Sequence, residues 1–298
     1  MKLRVLITGS RGQLGSKLTQ ALSLDARFEA HPTDRQTLDV TNARSVLEAA
    51  RATRPRWIVN CTAYNDVERA EVEPEKALQL NDEAVGNLAD AAADVGASVL
   101  HVSTDYVFSG DFGVEKPRPY DENDAPAPLS KYGASKLAGE RRLLGHGVGA
   151  AVLRTSWLYG GPGRNFLHTI VRVGREAAAS GRPVRVVHDQ VGTPTDAWSL
   201  AAEVQRVLLE EPRGLFHASC QGESTWYDFT REIYRRARLE VAVEPIRRAD
   251  YPGKAKRPAY SVLDNRRLRE LGADVFPPWA EGLERAWRFI EPTLEPAG

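Results

Sequence analysis

The chain predicts an α/β protein built on a doubly wound parallel sheet, with a smaller C-terminal lobe interleaved with the last sheet elements. Three observations carry that prediction. Short apolar, β-branched runs alternate with longer stretches of helical periodicity through the first half, and such strands pair in parallel with both sheet faces covered. A glycine-spaced turn, "TGSRGQLG" (8–15), joins the first strand run to the first helical one. The rhythm is lost in the second half, where Arg, Pro and Trp become more frequent.

In order, "RVLITG" (4–9) reads as a strand and "GQLGSKLTQALSL" (12–24) as a helix with apolar residues at helical spacing. "FEAHPTD" (28–34) is a second, weaker strand, and "NARSVLEAARATR" (42–54) a helix that Asn42 or Thr41 can cap. "RWIVNCTA" (56–63) is a strand, "EKALQLNDEAVGNLADAAADVG" (75–96) a helix and "ASVLHVST" (97–104) a strand. A Pro-rich loop (117–128) precedes the helix carrying "KYGASK" (131–136), and "AAVLRTSWLYG" (150–160) is the next strand. Helical stretches near 165–180, 197–210, 226–238 and 280–290 follow. The expected division is a nucleotide-binding domain over 1–160, with later sheet elements interleaved from the second half, and a mostly substrate-binding lobe over 161–298. Trp226, Trp279 and Trp287 are expected in its core.

Composition excludes several classes. Acidic and basic residues balance at 40 each, so no net field draws in nucleic acid or an anionic membrane. Only Cys61 and Cys220 occur, without CxxC spacing, and the six histidines form no HxxH or HExxH pair. A disulfide framework and a metal centre are both disfavoured, and a reducing compartment fits. No apolar run is long enough to span a bilayer, and the apolar part of "MKLRVLIT" is too short for a signal peptide. The expected location is the cytoplasm.

The glycine turn is the first site signal. Gly9, Gly12 and Gly15 sit between a strand and a helix, where missing Cβ atoms admit a pyrophosphate and the helix N-terminus offers it unpaired N–H groups. The fold this implies is Rossmann-type, and the ligand a nicotinamide dinucleotide. Arg11 or Arg35 can meet a 2′-phosphate, whereas Asp34 can take free ribose hydroxyls. NADPH is the expected cofactor, with NADH also usable. Asp39 and Val40 either border the adenine or lie beside a helix cap.

The second signal is chemical. "HVSTDYVFSG" (101–110) brings Ser103, Thr104 and Asp105 out at a strand end, and Tyr132 and Lys136 follow one helical turn apart. By itself such a pair is an aromatic and an amine sharing a helix face. Together with the glycine turn, this set resembles the extended short-chain dehydrogenase/reductase family. The resemblance implies that Tyr132 protonates a carbonyl oxygen as hydride reaches its carbon, and that Thr104 polarises the carbonyl. It also implies that Lys136 lowers the phenol from its ordinary value near 10 and holds the nicotinamide ribose.

Further stretches, "STDYVF", "YGASKLAGE", "RTSWLYG", "DQVGTPT", "STWYDFTREIY" and "KRPAYSVLD", resemble the dTDP-4-dehydrorhamnose reductases along essentially the whole chain. This implies NAD(P)H-dependent reduction of the 4-keto group of dTDP-4-dehydro-L-rhamnose, a nucleotide-sugar substrate. By the same resemblance, Gly12, Gln13 and Leu14 hold the pyrophosphate, and Ala63, Tyr64 and Asn65 lie beside the cofactor. Thr104, Asp105 and Trp157 contact the nucleotide sugar, and Arg257 either faces its diphosphate or lies in a solvated loop. Sugar-nucleotide dehydratases carry a glutamate after that aspartate, but here Asp105 precedes Tyr106, which favours plain reduction. Three alternatives stay open: a reductase for another keto sugar, an epimerase, or a non-catalytic subunit like the methionine adenosyltransferase β subunit. The resemblance also leaves room for a homodimer.

Overall fold

In the computed structural model, residues 2–163, 165–272 and 274–294 are described. Leu3–Thr8 (β1), Phe28–Pro32 (β2), Trp57–Asn60 (β3), Ser98–Thr104 (β4) and Gly149–Thr155 (β5) join Gly214–His217 (β6) in one parallel sheet, ordered β6-β5-β4-β3-β1-β2. A strand covered on both faces must be apolar along its length, and Trp57, Ile58 and Val59 of β3 are fully buried. The edge strand β2 is only partly buried, which explains its weaker pattern and its tolerance of Pro32.

The longer helices are Gln13–Ser23 (α1), Ala43–Thr53 (α2), Ala84–Val95 (α3), Lys131–Gly145 (α4), Phe166–Ser180 (α5), Ala197–Glu210 (α6), Trp226–Ala237 (α7) and Trp279–Leu294 (α8). Asn42 caps α2 by accepting from Ser45 N, and Ser130 caps α4 by accepting from Gly133 N. On one sheet face Leu14, Leu18 and Leu22 of α1 pack with Leu200, Val204 and Val207 of α6. On the other, Val46 and Ala50 of α2 meet Val85, Leu88 and Ala92 of α3. A separate core, with Tyr159, Leu167, Phe229, Ile233, Leu283 and Trp287, holds the second half together. There the strands Val184–Val187 and Val243–Ile246 pair in parallel. No helix among the described residues is long and apolar enough to cross a membrane.

Three departures from expectation matter for the site. The strand expected over 150–160 stops at Thr155, because Trp157 takes a left-handed φ of 46° and the chain resumes as a short strand at Leu158–Tyr159. The helix expected over 75–96 begins at Pro74 and is interrupted by a π-helical turn, Gln79–Glu83. Trp226 and Trp279, expected in the core, are only partly buried, and Trp226 stacks face to face on Trp157, with centroids 3.6 Å apart. The chain leaves β1 for β2 on one side and returns to β3 on the other. Ligands of open parallel sheets bind at the carboxyl ends beside such a reversal.

Candidate functional site

At that reversal the glycine turn makes a backbone cradle. Gly9 has φ of 69°, and a Cβ on it would lie 3.0 Å from the Cys61 carbonyl. A Cβ on Gly15 would lie 2.2 Å from Gly9 O, so α1 can pack against its own turn only as glycine. Gly12 caps α1 with no side-chain hydrogen bond, which leaves the first N–H groups of the helix for an anion.

Beside the cradle is a cavity of about 770 Å³. Of the expected residues, Gly9, Arg11, Gly12, Asp34, Asp39, Val40 and Tyr64 line it, as does Arg35. Gln13, Leu14, Gly15, Ala63 and Asn65 do not. Gln13 donates its amide to Leu158 O at 3.3 Å, and the Leu14 side chain is in the core, so these two face the cradle through backbone alone. Asn65 is exposed. Thr62, from the loop after β3, and Lys76, Gln79 and Leu80, from the helical stretch that begins at Pro74, also line the cavity. Arg11 Nε pairs with Asp34 at 2.5 Å. Burial pulls the Asp34 carboxyl upward, but hydrogen bonds from Thr37 and Gln36, together with Arg11, hold it below the usual range. Asp39 spends one oxygen on the Thr41 N–H and hydroxyl at 3.0 and 2.7 Å.

At the carboxyl end of β4, Thr104, Asp105, Tyr132 and Lys136 come together. Tyr132 is partly exposed and packs edge-on against Tyr106, with centroids 5.8 Å apart. Burial pushes its phenol well above 10, opposed by a hydrogen bond with Thr104. Lys136 is 1% exposed, and burial lowers its amine to about 8 against the pull of Glu140 and Cys61. Its Nζ donates to Val102 O at 2.7 Å and sits 3.2 Å from His101 Nε2. The i,i+4 spacing puts Tyr132 and Lys136 on one face of α4, and the lysine side chain reaches down to β4.

Asp105 is 2% exposed and accepts hydrogen bonds from Thr104 at 3.1 Å and from Ser261 at 2.6 Å. Burial raises its carboxyl to about 7 against those two bonds. Ser261 ties the second half of the chain to the end of β4. Trp157 fills the space beside Gly192, where a Cβ would come within 2.5 Å of the indole, and its buried Nε1 has no partner among the described residues. Arg257 pairs with Glu68 at 2.5 Å, lies over the Tyr251 ring and donates to Ala255 O at 3.3 Å. Among the described residues no group of three or more His, Cys, Asp or Glu is placed to hold a metal ion.

Sequence reasoning missed two supporting residues. Asn81, in the π turn, bonds both backbone groups of Tyr64 at 2.8 and 3.0 Å and reaches Ser135 of α4 at 2.9 Å. Asn60 ends an otherwise apolar strand, a position whose polarity was itself the available signal.

Comparison with known proteins finds that residues 2–290 match the family described as "RmlD substrate binding domain". The chain is 38% identical to the dTDP-4-dehydrorhamnose reductase of Escherichia coli strain K12 over 297 residues, covering 95% of this chain and 96% of that one. A solved dTDP-4-dehydrorhamnose reductase from Clostridium acetobutylicum superposes with a TM-score of 0.91 at 38% identity, covering 97% of this chain and 100% of that chain. Another, from Bacillus anthracis and in complex with NADP, superposes at 0.90 with 38% identity, covering 97% and 99%.

Proposed function

The chain belongs to the dTDP-4-dehydrorhamnose reductase family, and we propose that it reduces the 4-keto group of dTDP-4-dehydro-L-rhamnose with NADPH, giving dTDP-L-rhamnose. The observation that carries the reading is the cluster at the end of β4, where Thr104 ends the strand, Tyr132 in the first turn of α4 packs on Tyr106, and Lys136 one turn further along α4 donates to Val102 O of the same strand. The glycine cradle, the uncapped start of α1 and the adjoining cavity fit a dinucleotide. Gly9, Gly12 and the backbone at Gln13 and Leu14 would hold its pyrophosphate, Asp39, Val40 and the 63–65 loop its flanks. When bound, the nicotinamide supplies hydride to the ketone carbon.

The chain's own residues supply the rest. Tyr132 gives its proton to the ketone oxygen, which requires the phenol to be neutral at rest, and its raised titration keeps it so. Thr104 shares that oxygen and orients it. Lys136 opposes the charge left on Tyr132 and holds the nicotinamide ribose. Asp105 and Trp157, with its unpartnered Nε1, contact the sugar. Arg257 takes the diphosphate after exchanging Glu68 for it. Residues 1–160 with β6 serve the cofactor and most of 161–298 the substrate.

The Bacillus anthracis relative holds NADP. Here Arg11, pinned to Asp34, and Arg35 would receive a 2′-phosphate, while Asp34 leaves NADH usable. A homodimer in the cytoplasm completes the reading, supported by the free thiols of Cys61 and Cys220 and by the exposed Phe289. Light scattering reads the dimer.

Nicotinamide absorbance after mixing the protein with NADPH and dTDP-4-dehydro-L-rhamnose tests the function, with NADH in parallel. Oxidation coupled to dTDP-L-rhamnose, faster with NADPH, is expected. Tight NADPH binding without oxidation would overturn the assignment.

A further inference from the structure

A line of polar side chains crosses the sheet beneath the catalytic helix. Thr8, Asn60 and His101 are register partners on β1, β3 and β4, each buried. Thr8 donates its hydroxyl to Asn60 Oδ1 at 2.9 Å, and the Thr62 backbone N–H donates to the same oxygen at 3.0 Å. A backbone N–H can only donate, so it fixes which end of the Asn60 amide is oxygen. Asn60 Nδ2 therefore points at His101 Nδ1, 3.0 Å away, as a donor.

A neutral imidazole has one N–H. If Nδ1 accepts from Asn60, the proton sits on Nε2, which faces Lys136 Nζ at 3.2 Å. An N–H can donate to a neutral amine but opposes an ammonium. We propose that His101, locked in its Nε2–H tautomer by Asn60 and the Thr62 N–H, is a positioning residue that donates to the Lys136 amine and so sets the pH at which Lys136 charges. This rests on the reductase reading only for its consequence in catalysis.

Of the remaining groups facing Lys136, Glu140, one turn along α4, favours the ammonium, Cys61, after β3, is a thiol that burial keeps protonated, and Val102 O on β4 accepts from either form. His101 itself is held far below its ordinary titration by burial first and Lys136 second, so it stays neutral and cannot relieve the opposition by taking up a second proton. An amine poised near neutrality can gain its charge when the ribose and the forming phenolate reach it. A permanently charged one would have to be desolvated beforehand.

The test is isosteric. Asn60→Asp keeps the acceptor for Thr62 and Thr8 but turns an acceptor toward His101, which moves the proton to Nδ1 and frees Nε2 to accept from Lys136. Nitrogen-15 spectra of histidine-labelled wild type, assigned with His101→Gln, are expected to show Nε2–H, and Asn60→Asp to show Nδ1–H. Carbon-13 Cε shifts of labelled lysine, assigned with Lys136→Met, should place the Lys136 titration at least about one pH unit higher in Asn60→Asp. The alkaline limb of reductase activity should move with it. An Nδ1–H tautomer in the wild type overturns the proposal even if the variant fails to fold, and so does an unmoved lysine titration in a folded variant. Both spectra are read without substrate, so absent reductase activity would count against the proposed function alone.

Discussion

Tyr132 shows how a residue's environment can suit it to a proposed role. Burial raises its titration, so at neutral pH it keeps the proton that the proposed ketone reduction would consume. Tyr132→Phe should lower kcat by about 10²–10⁴ while NADPH still binds near wild-type strength, since the lost group acts on the ketone. Turnover within a few-fold of wild type, followed by NADPH absorbance, would remove the proton-donor role. Asp105 makes a prediction about stability. Its carboxyl is raised from 3.8 to about 7, so the folded protein keeps a proton that the unfolded chain has lost between those values. The associated stability is fully present below pH 3.8 and gone above about 7. Asp105→Asn should therefore gain on wild type as pH rises, by up to roughly 4 kcal/mol above pH 7, and lose that advantage at pH 4. Denaturant midpoints across the pH range read it; a difference independent of pH would contradict the raised carboxyl. Thr104, Tyr132 and Lys136 were legible in the sequence because a strand end and an i,i+4 pair are local patterns. For Asn60 and His101 only the polarity of Asn60 at a strand end was visible; their pairing comes from register across three strands, which no local periodicity encodes.

Helix α4, which carries Tyr132 and Lys136, is placed by its neighbour as much as by its own cap. Gly139 lies against the π turn, and a Cβ there would sit 2.0 Å from Asn81 O. That contact lets Asn81 reach Tyr64 on the cofactor side and Ser135 on the catalytic side at once. Gly139→Ala must push α4 and the π turn apart. It should cost about 1–3 kcal/mol of stability and weaken NADPH binding as the 63–65 loop loses its tether, readable by urea unfolding and by fluorescence titration. Unchanged values on both would show that α4 tolerates the shift. The π turn was invisible in the sequence for a physical reason: it is placed by contacts distant in the chain, with Gly139 of α4 and with Tyr64, and no local periodicity encodes them. The glycine turn after β1, by contrast, carries its constraint in consecutive residues and was read with the right spacing.

At the scale of the molecule, cofactor side and substrate side are not separable lengths of chain. The last strand of the sheet, β6, comes from beyond residue 160 and covers β5, whose Leu153 is fully buried. The helix before it, α6, supplies Leu200, Val204 and Val207 against Leu14, Leu18 and Leu22 of α1. Cutting after residue 160 would expose those three α1 leucines, at ~1.5–3 kcal/mol each when fully bared. The loss, about 5–9 kcal/mol, rivals the whole stability of a typical domain, about 5–15 kcal/mol. It would also leave β5 as an unpaired apolar edge. A chain ending at 160 should therefore be unfolded or aggregated, with no cooperative thermal transition and no NADPH binding, although it holds the glycine cradle, Thr104, Tyr132 and Lys136. Extending it through β6, to residue 220, should restore the sheet and both faces of α1, and with them part of the NADPH binding. Circular dichroism and fluorescence titration of the two fragments separate the cases. A folded, NADPH-binding 1–160 fragment would mean that the boundary read from the loss of strand–helix rhythm was a true domain boundary, and that α6 and β6 only decorate it.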